Sequence, residues 1–204
     1  MGLDGNLVVV EGPDGAGKTT LARALLEQLN SIDHPHRLLG FPGNEPGTLG
    51  RHVYELHHDP TRFDVNSMHE ASLQILHIGA HVDAIEIQIL PDLKRGVSII
   101  LDRYWWSTWV YGATSGVTNG SLERMIEVEK FHWAGRLPTI VFLVDAKDSF
   151  RQDIPRERWN ELRSAYRRLM DIEEGKYPIM RIPNTELIAG PVDEMVQACR
   201  KGAE

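Results

Sequence analysis

The sequence predicts a doubly wound α/β domain, in which helices cover both faces of a parallel sheet. Short apolar runs rich in β-branched residues recur along the 204 residues, and helix-compatible segments separate them. The runs are continuously apolar, as expected of strands that are buried on both faces of a parallel sheet. They lie at residues 7–10, 38–41, 97–101, 140–144 and 179–182.

The segments between these runs are typical of helices. Residues 18–30 carry leucine at every fourth position, and the long segment 67–95 ends before Gly96. We expect Pro91 to kink or break this long helix. Pro155 and Pro191 can each open a further helix, the first of which would extend to about Gly175. The glycine-rich stretch 112–120 is either a mobile loop or an ordinary connection between helices.

Composition excludes several classes of protein. Apolar residues make up 42% and charged residues 25% of the chain, which excludes disorder, collagen and coiled coil. The formal charge of −7 argues against broad binding to nucleic acid, although a local basic groove could still bind DNA. There is neither a run long enough to span a membrane nor a signal peptide, and the single cysteine, Cys199, cannot form an internal disulfide. We therefore expect a cytoplasmic protein with no membrane partner.

A glycine-rich motif follows directly on the first predicted strand. Residues 12–19 read Gly-Pro-Asp-Gly-Ala-Gly-Lys-Thr and match the phosphate-binding pattern Gly-x4-Gly-Lys-Ser/Thr. Its glycines let successive backbone amides wrap around a phosphate, Lys18 reaches the β- and γ-phosphates, and the Thr19 hydroxyl ligates Mg²⁺. We therefore predict ATP and Mg²⁺ as ligands. The predicted binding residues are Gly12, Asp14, Gly15, Ala16, Gly17, Lys18, Thr19 and Thr20.

This loop alone does not distinguish a kinase from a GTPase or a motor ATPase. A GTPase needs an Asn-Lys-x-Asp segment to read guanine, and residues 184–187 read Asn-Thr-Glu-Leu instead. A motor or transporter ATPase needs more elements than 204 residues leave room for. A small kinase fits both observations.

A second candidate group, Asp102-Arg103, follows the third predicted strand. Because parallel strands end at one edge of the sheet, both side chains should lie near the phosphate-binding loop. An aspartate there can hold Mg²⁺, and an arginine can clamp a phosphate with two parallel hydrogen bonds. We predict that Asp102 shares the metal with Thr19.

Three segments, in this order, resemble the thymidylate kinase family of nucleoside monophosphate kinases. They are residues 11–20, residues 45–48, and Asp102-Arg103-Tyr104 with Ser107, Thr108 and Tyr111. The resemblance covers essentially the whole chain. It implies a P-loop kinase fold, with a five-stranded parallel sheet flanked by helices on both faces and residues 1–204 in one domain. It also implies transfer of the ATP γ-phosphoryl group to an acceptor, and commonly a homodimer.

The resemblance further implies roles for individual residues. Asp14 and Asp102 would organise the metal and the attacking oxygen, and Arg103 would hold the phosphate of the acceptor. Tyr111 would lie against the sugar, where its ring disfavours a 2′-hydroxyl. The implied catalytic residues are Lys18, Asp14, Asp102, Arg103, Arg156 and Arg158. The implied acceptor contacts are Phe41, Asn44, Glu45, Ile78, Val82, Arg103, Tyr104, Ser107, Thr108 and Tyr111.

The resemblance also implies a movable lid at about residues 147–160. Gly15 stands where some family members carry an arginine, and members with glycine there supply the arginine from the lid. Arg151, Arg156 and Arg158 are the candidates in this stretch. At least one of them should therefore reach the transferred phosphate.

Departures from the family pattern cluster in the implied acceptor pocket. Gly43 or Asn44 stands in place of an arginine, and Gly112 in place of a frequent glutamine. On the long helix, Ile78 and Val82 are placed where the family has an aromatic residue that stacks on thymine and, four residues later, an arginine. Each lost charge-assisted hydrogen bond removes roughly 1.5–3 kcal/mol, which disfavours thymidylate as the acceptor.

Two groups of residues could compensate for these departures. Trp105, Trp106 and Trp109 could line an altered acceptor site, or could pack a helix against the core. His77 and His81, four residues apart on the long helix, could donate hydrogen bonds to an altered substrate.

Three functions remain open at this point. The first is a nucleoside monophosphate kinase, and the second is a P-loop kinase that phosphorylates a hydroxyl of a nucleoside, a modified DNA base or another small metabolite. The third is a non-catalytic nucleotide-binding protein. The joint presence of Lys18, Thr19, Asp14, Asp102 and Arg103 disfavours the third.

Overall fold

Five strands form one parallel sheet in the computed structural model, which describes residues 5–30, 35–185 and 189–201. The strands are β1 (Leu7–Glu11), β2 (His36–Gly40), β3 (Ser98–Asp102), β4 (Ile140–Ala146) and β5 (Ile179–Asn184). Their spatial order is β2-β3-β1-β4-β5, and every neighbouring pair is parallel. The predicted doubly wound sheet is confirmed, and each apolar run of the sequence overlaps one strand.

Helices cover both faces of this sheet. They are α1 (Lys18–Asn30), α2 (Leu49–His58), α3 (Glu70–Ala84), α4 (Leu90–Lys94), α5 (Trp105–Thr114), α6 (Asn119–His132), α7 (Arg156–Glu173) and α8 (Ala189–Lys201). Side chains of β1 alternate between two apolar clusters: Leu7 and Val9 face one, Val8 and Val10 the other. The strand reads as continuously apolar because both of its faces are buried.

The register of the sheet sets the position of the functional residues. Val10 of β1 pairs with Asp102 of β3, and Gly40 of β2 pairs with the same residue. The carboxyl ends of the three strands therefore lie side by side. The loop that follows β1, Asp102 and the segment that follows β2 consequently share one edge of the sheet.

The long helix continues past Pro91, so of the predicted kink or break the break is absent, and the helix is distorted just before the proline instead. Helical structure runs from Glu70 to Lys94, and a π-helical turn at Ile85–Ile89 joins α3 to α4. Pro91 is the second residue of α4. A π-turn widens the helix locally, which accommodates the proline ring and its missing amide hydrogen without ending the helix.

Two other predictions need correction. Pro155 caps α7 from outside, so that the helix begins at Arg156, and Pro191 lies inside α8. Of the two alternatives for the stretch 112–120, the structure favours the ordinary connection between helices. Gly112 lies within α5, Gly120 lies within α6, and residues 115–118 connect the two helices.

The tryptophans after β3 belong mainly to the core. Trp105 is 2% exposed and Trp106 is 0% exposed. The Trp106 indole Nε1 donates to the Tyr177 hydroxyl at 2.9 Å, and Trp109 packs against the same apolar cluster. The structure thus favours core packing over an altered acceptor site. Among the described residues, no helix has both the length and the apolar character needed to cross a membrane.

Candidate active site

The loop between β1 and α1, residues 12–17, forms a tight cradle. Gly12, Gly15 and Gly17 adopt φ values of 142°, 84° and 89°. A Cβ atom on Gly12 would lie 2.5 Å from the Val144 carbonyl oxygen, and one on Gly17 would lie 2.4 Å from Asn184 Nδ2. Only glycine fits this path, which can turn successive backbone amides toward an anion.

Lys18 lies buried beneath this loop. Its Nζ atom donates to the Pro13 carbonyl at 2.9 Å and lies 3.7 Å from Asp14 Oδ1. Burial lowers the pKa of Lys18 to about 8, and the charge of Arg103 acts in the same direction against nearby carboxylates. A phosphate in the cradle would add negative charge and so favour the protonated amine.

Asp14 and Arg103 form an ion pair between the loop and the residue that follows β3. Burial alone would raise the pKa of Asp14, but Arg103 and Lys18 together lower it to about 2. The Tyr111 hydroxyl accepts a hydrogen bond from the Asp14 amide at 3.0 Å. The Arg103 guanidinium lies 5.8 Å from the centre of the Tyr111 ring. Arg103, the residue predicted to hold a phosphate, thus contacts the phosphate-binding loop directly.

The backbone of Arg103 is strained. Its φ of 87° lies in the left-handed region, which costs a non-glycine residue about 1–3 kcal/mol. The conformation is held because the Arg103 amide donates to the Val10 carbonyl at 3.0 Å and Nη1 donates to Ser107 Oγ at 3.1 Å. These contacts aim the guanidinium back across the sheet edge toward Asp14.

Glu11, the last residue of β1, connects the loop to α5. Its fully buried carboxylate accepts hydrogen bonds from the amides of Gly12 at 3.1 Å, Tyr104 at 2.7 Å and Ser107 at 3.0 Å. Burial raises the pKa of Glu11, and Arg103 and Lys18 oppose this shift. Since Tyr104 caps α5 without a side-chain bond, Glu11 supplies the cap. The sequence signal for this role is a carboxylate that directly ends an apolar strand.

Asp102 and Thr19 form a candidate metal site. The Thr19 hydroxyl donates to Asp102 Oδ2 at 2.5 Å. Asp102 Oδ1 is sealed from solvent and has no hydrogen-bond partner among the described residues. An orphaned carboxylate oxygen beside a hydroxyl suits Mg²⁺, which prefers oxygen ligands and usually takes only one or two carboxylates. The two predicted metal ligands therefore fit the ion.

The segment before α7 lies over the loop. The Phe150 amide donates to the Gly15 carbonyl at 2.9 Å, and a Cβ atom on Gly15 would lie 2.2 Å from Ser149 Oγ and 3.4 Å from Arg151 Cβ. Arg151 is exposed, donates to Asp153 at 2.9 Å and interacts electrostatically with Asp14. It is therefore the candidate lid arginine next to the loop.

The other two arginines of this segment have different partners. Arg156 is exposed and lies 3.8 Å from Asp148. Arg158 donates to the Thr114 carbonyl at 3.0 Å and to Glu161 at 2.7 Å. In this structure neither Arg156 nor Arg158 contacts the phosphate-binding loop through these bonds, whereas a catalytic role was expected of both.

Helix α3 presents histidines, not Ile78 and Val82, to the segment after β2. The His81 ring stacks on Phe41 with centres 4.0 Å apart, and its Nδ1 lies 2.7 Å from the buried Glu129 carboxylate. Ile78 is 5% exposed and packs in the core, and Val82 is partly buried. The expected placement was wrong by one residue, which is a rotation of about 100° on an α-helix.

His77 links α3 to α2. Its Nε2 lies 3.4 Å from His57 Nδ1. Burial lowers the pKa of His77 to about 3, and the charges of His81, His57 and Arg103 act in the same direction. The imidazole is therefore neutral at physiological pH, with one donor and one acceptor nitrogen.

Several implied acceptor contacts have other roles in the structure. Tyr104 is 2% exposed, and its ring lies 5.5 Å from that of Trp133, so the side chain belongs to the core. The Ser107 hydroxyl is engaged by Glu11, Arg103 and Tyr166. It therefore positions Arg103.

The segment after β2 brings a cation that the sequence argument missed. Asn44 Oδ1 accepts a hydrogen bond from Arg51 Nη1 at 2.9 Å, and Arg51 also pairs with Glu55 at 2.6 Å. Glu45 lies 3.7 Å from Arg37. The capping pattern around Thr48, whose hydroxyl accepts from the Arg51 amide at 3.1 Å, is the signal that places Arg51 in the first turn of α2.

Comparison with known proteins gives a consistent result. The family model for thymidylate kinase matches residues 10–178. A thymidylate kinase of Dinoroseobacter shibae is 34% identical over 141 residues, which are 69% of this chain and 64% of that protein. One of Cutibacterium acnes is 34% identical over 146 residues, 70% of this chain and 67% of that protein. The match thus spans less than two thirds of the first relative.

The fold has a close counterpart as well. The crystal structure of thymidylate kinase from Ehrlichia chaffeensis superposes with a TM-score of 0.74 at 18% identity, over 96% of this chain and 99% of that one. This similarity confirms the predicted P-loop kinase fold. The matched family model, together with the relatives that are 34% identical, shows that the chain belongs to the thymidylate kinase family.

Proposed function

We propose that this chain transfers the γ-phosphoryl group of ATP to the phosphate of a nucleoside monophosphate. The observation that carries the proposal is the convergence of Lys18, the Thr19–Asp102 pair and Arg103 at one edge of the sheet. Phosphoryl transfer depends mainly on positioning and on stabilisation of charge, and these residues supply both.

The donor side would hold ATP through the loop. The loop amides and Lys18 would bind the β- and γ-phosphates. Thr19 and Asp102 would hold Mg²⁺, which would supply neutralisation of phosphate charge. Arg151 would approach the transferred group when residues 147–160 close over the loop, since Phe150 and Ser149 already contact Gly15.

The acceptor side favours a phosphate over a hydroxyl. Arg103 is aimed along the sheet edge by Ser107 and Asp14, and Arg51 lies beside Asn44 in the neighbouring segment. Two guanidinium groups suit a doubly charged phosphate monoester, and a hydroxyl acceptor would not need them. Tyr111 lies between the loop and Arg103, in keeping with a contact to the sugar.

The choice of base is a separate question. Thymidylate is the first acceptor to test, because the relatives are thymidylate kinases. His77 and His81 lie on the face of α3 that contacts Phe41 and α2. The base would therefore meet histidines here, where the family has a stacking aromatic residue and an arginine.

The test is ATP consumption with Mg²⁺ against a panel of deoxynucleoside and ribonucleoside monophosphates and the corresponding nucleosides. We expect a nucleoside diphosphate as product. Lys18→Ala should lower the rate by about 10²–10³-fold, because it removes a cation aimed at the phosphates. Lys94→Ala, which replaces an exposed lysine on α4, is the matched control. Turnover of nucleosides alone, or of no acceptor at all, would overturn the proposal.

A further inference from the structure

Two buried polar side chains in the contact between α3 and α5 have no partner. Gln74 of α3 and Thr108 of α5 are each 4% exposed. Within residues 5–30, 35–185 and 189–201, neither side chain takes part in a hydrogen bond. Buried polar groups are nearly always paired, so two unpaired ones close together need an explanation.

Both groups still reach solvent. The described side-chain atoms that are sealed from solvent and lack a partner are Asp102 Oδ1, Arg167 Nε and Asn184 Oδ1. The Gln74 amide and the Thr108 hydroxyl are not among them, so each keeps a small accessible surface. Each group therefore keeps a small contact with solvent where α3 packs on α5.

Gly112 makes room for Gln74. A Cβ atom on Gly112 would lie 3.3 Å from Gln74 Cγ and 2.6 Å from Leu122 Cδ2. A side chain at this position would require the Leu122 side chain, and to a smaller extent that of Gln74, to shift. Thr108 precedes Gly112 by one turn of α5, so Gln74 and Thr108 lie near the same face of that helix.

This contact between α3 and α5 lies next to the phosphate side of the candidate site. Tyr111, adjacent to Gly112, bonds the loop through the Asp14 amide at 3.0 Å. His77 follows Gln74 by one turn of α3, and the charge of Arg103 acts on it. An acceptor whose phosphate lies at Arg103 would extend its sugar and base between α3 and α5.

We propose that Gln74 is a specificity-determining residue, whose amide, together with the Thr108 hydroxyl, hydrogen-bonds the polar edge of the acceptor's nucleobase. The inference rests on the proposed function, because it assigns the base side of the same acceptor site. A carboxamide and a hydroxyl each donate and accept, which matches the alternating donors and acceptors of a base edge. A base that leaves the amide unpaired is penalised, and this difference produces selectivity.

The test compares kcat/KM for the four common deoxynucleoside monophosphates in the wild type, Gln74→Met and Gln197→Leu. Methionine keeps the length of the side chain and the contact at Cγ but removes the amide. We expect Gln74→Met to reduce the ratio between the best and the worst acceptor by about tenfold, with the KM for ATP unchanged. Gln197→Leu alters an exposed glutamine of α8 and should keep the wild-type ratios.

The remaining outcomes are decisive as well. If Gln74→Met lowers all four values by one common factor, or none of them, Gln74 has a structural role only and the inference is wrong. If Gln74→Met fails to fold by circular dichroism, Gln74→Glu takes its place, and unchanged ratios in that variant overturn the inference. If the wild type accepts no monophosphate, the proposed function fails together with the inference, and this result differs from a failure of the inference alone.

Discussion

The donor side and the acceptor side of the candidate site are built in different ways. The donor side is mainly a contiguous loop, residues 12–17, followed by Lys18 and Thr19, and Asp102 of β3 is the one member that is distant in sequence. The acceptor side collects side chains from separate helices, such as His57, His77 and Glu129. A site made of backbone must keep its spacing, whereas a site made of side chains can change one contact at a time. The divergence of this chain accordingly lies on the acceptor side.

The largest effect should follow from Asp102→Asn on the donor side. The change removes the carboxylate charge beside Thr19, so kcat should fall by about 10²–10³-fold and half-maximal activity should need more Mg²⁺. Initial rates over a Mg²⁺ titration measure both quantities. Asp171→Asn, at an exposed position of α7, is the control. A wild-type Mg²⁺ dependence in Asp102→Asn would contradict the assigned metal site.

Arg103→Ala should separate the two sides. Loss of a charge-assisted bond to phosphate should raise the acceptor KM, or lower kcat, by about 10–100-fold. The affinity for ATP, measured by calorimetry, should change much less. Arg168→Ala removes an exposed arginine of α7 and controls for the loss of positive charge. An effect on ATP affinity alone would place Arg103 on the donor side.

His77→Gln tests the acceptor wall through stability. The pKa of His77 is lowered from 6.5 to about 3 by burial, with His81 and His57 adding to the shift. Between these values the unfolded chain binds a proton that the native chain does not, so stability falls as the pH drops below 6.5. The cost is about 2 kcal/mol at pH 5.

Denaturant unfolding at pH 7 and at pH 5 measures this difference. His77→Gln should lose about 2 kcal/mol less than the wild type over this interval. His52→Gln, which replaces an exposed histidine of α2, controls for the loss of an imidazole as such. An identical decrease in His77→Gln and in the wild type would mean that His77 takes up a proton as readily in the native chain as in the unfolded one.

The smallest effect concerns the lid. Arg151→Ala should lower kcat by about tenfold, because Arg151 is next to the loop and interacts with Asp14, while Arg156→Ala should change kcat less than about twofold. Pre-steady-state quench-flow measurements separate phosphoryl transfer from product release. The reverse ranking of the two variants would mean that closure of the lid brings Arg156, rather than Arg151, to the transferred phosphate.

Much of the donor side could be predicted from the sequence. The strands read as apolar runs because both faces of the sheet are buried, and the loop motif is local in sequence. The position of Asp102 followed from the rule that parallel strands end at one edge. Each of these inferences needs only neighbouring residues and one rule of topology.

The acceptor side could not be predicted in the same way. Ile78 and Val82 were expected at the places that His77 and His81 occupy. This is an offset of one residue, and one residue turns a side chain by about 100° around the helix axis. The π-helical turn at Ile85–Ile89 changes the number of residues per turn. The apolar pattern of residues beyond this turn therefore does not reveal which side chains of α3 face the acceptor side. Gln74 was missed because its position depends on the absence of a side chain on another helix. The expected homodimer stays a prediction.

The attachment of α5 to the phosphate-binding loop has a consequence for how such a chain can evolve. The Ser107 hydroxyl donates to Glu11, and the Tyr111 hydroxyl accepts a hydrogen bond from the Asp14 amide, so replacement of either side chain would disturb the loop. Helix α3 has no such bond to the loop among the described residues. Drift toward new acceptors should therefore accumulate on α3. A library for laboratory evolution should randomise that helix first and leave Ser107 and Tyr111 of α5 intact.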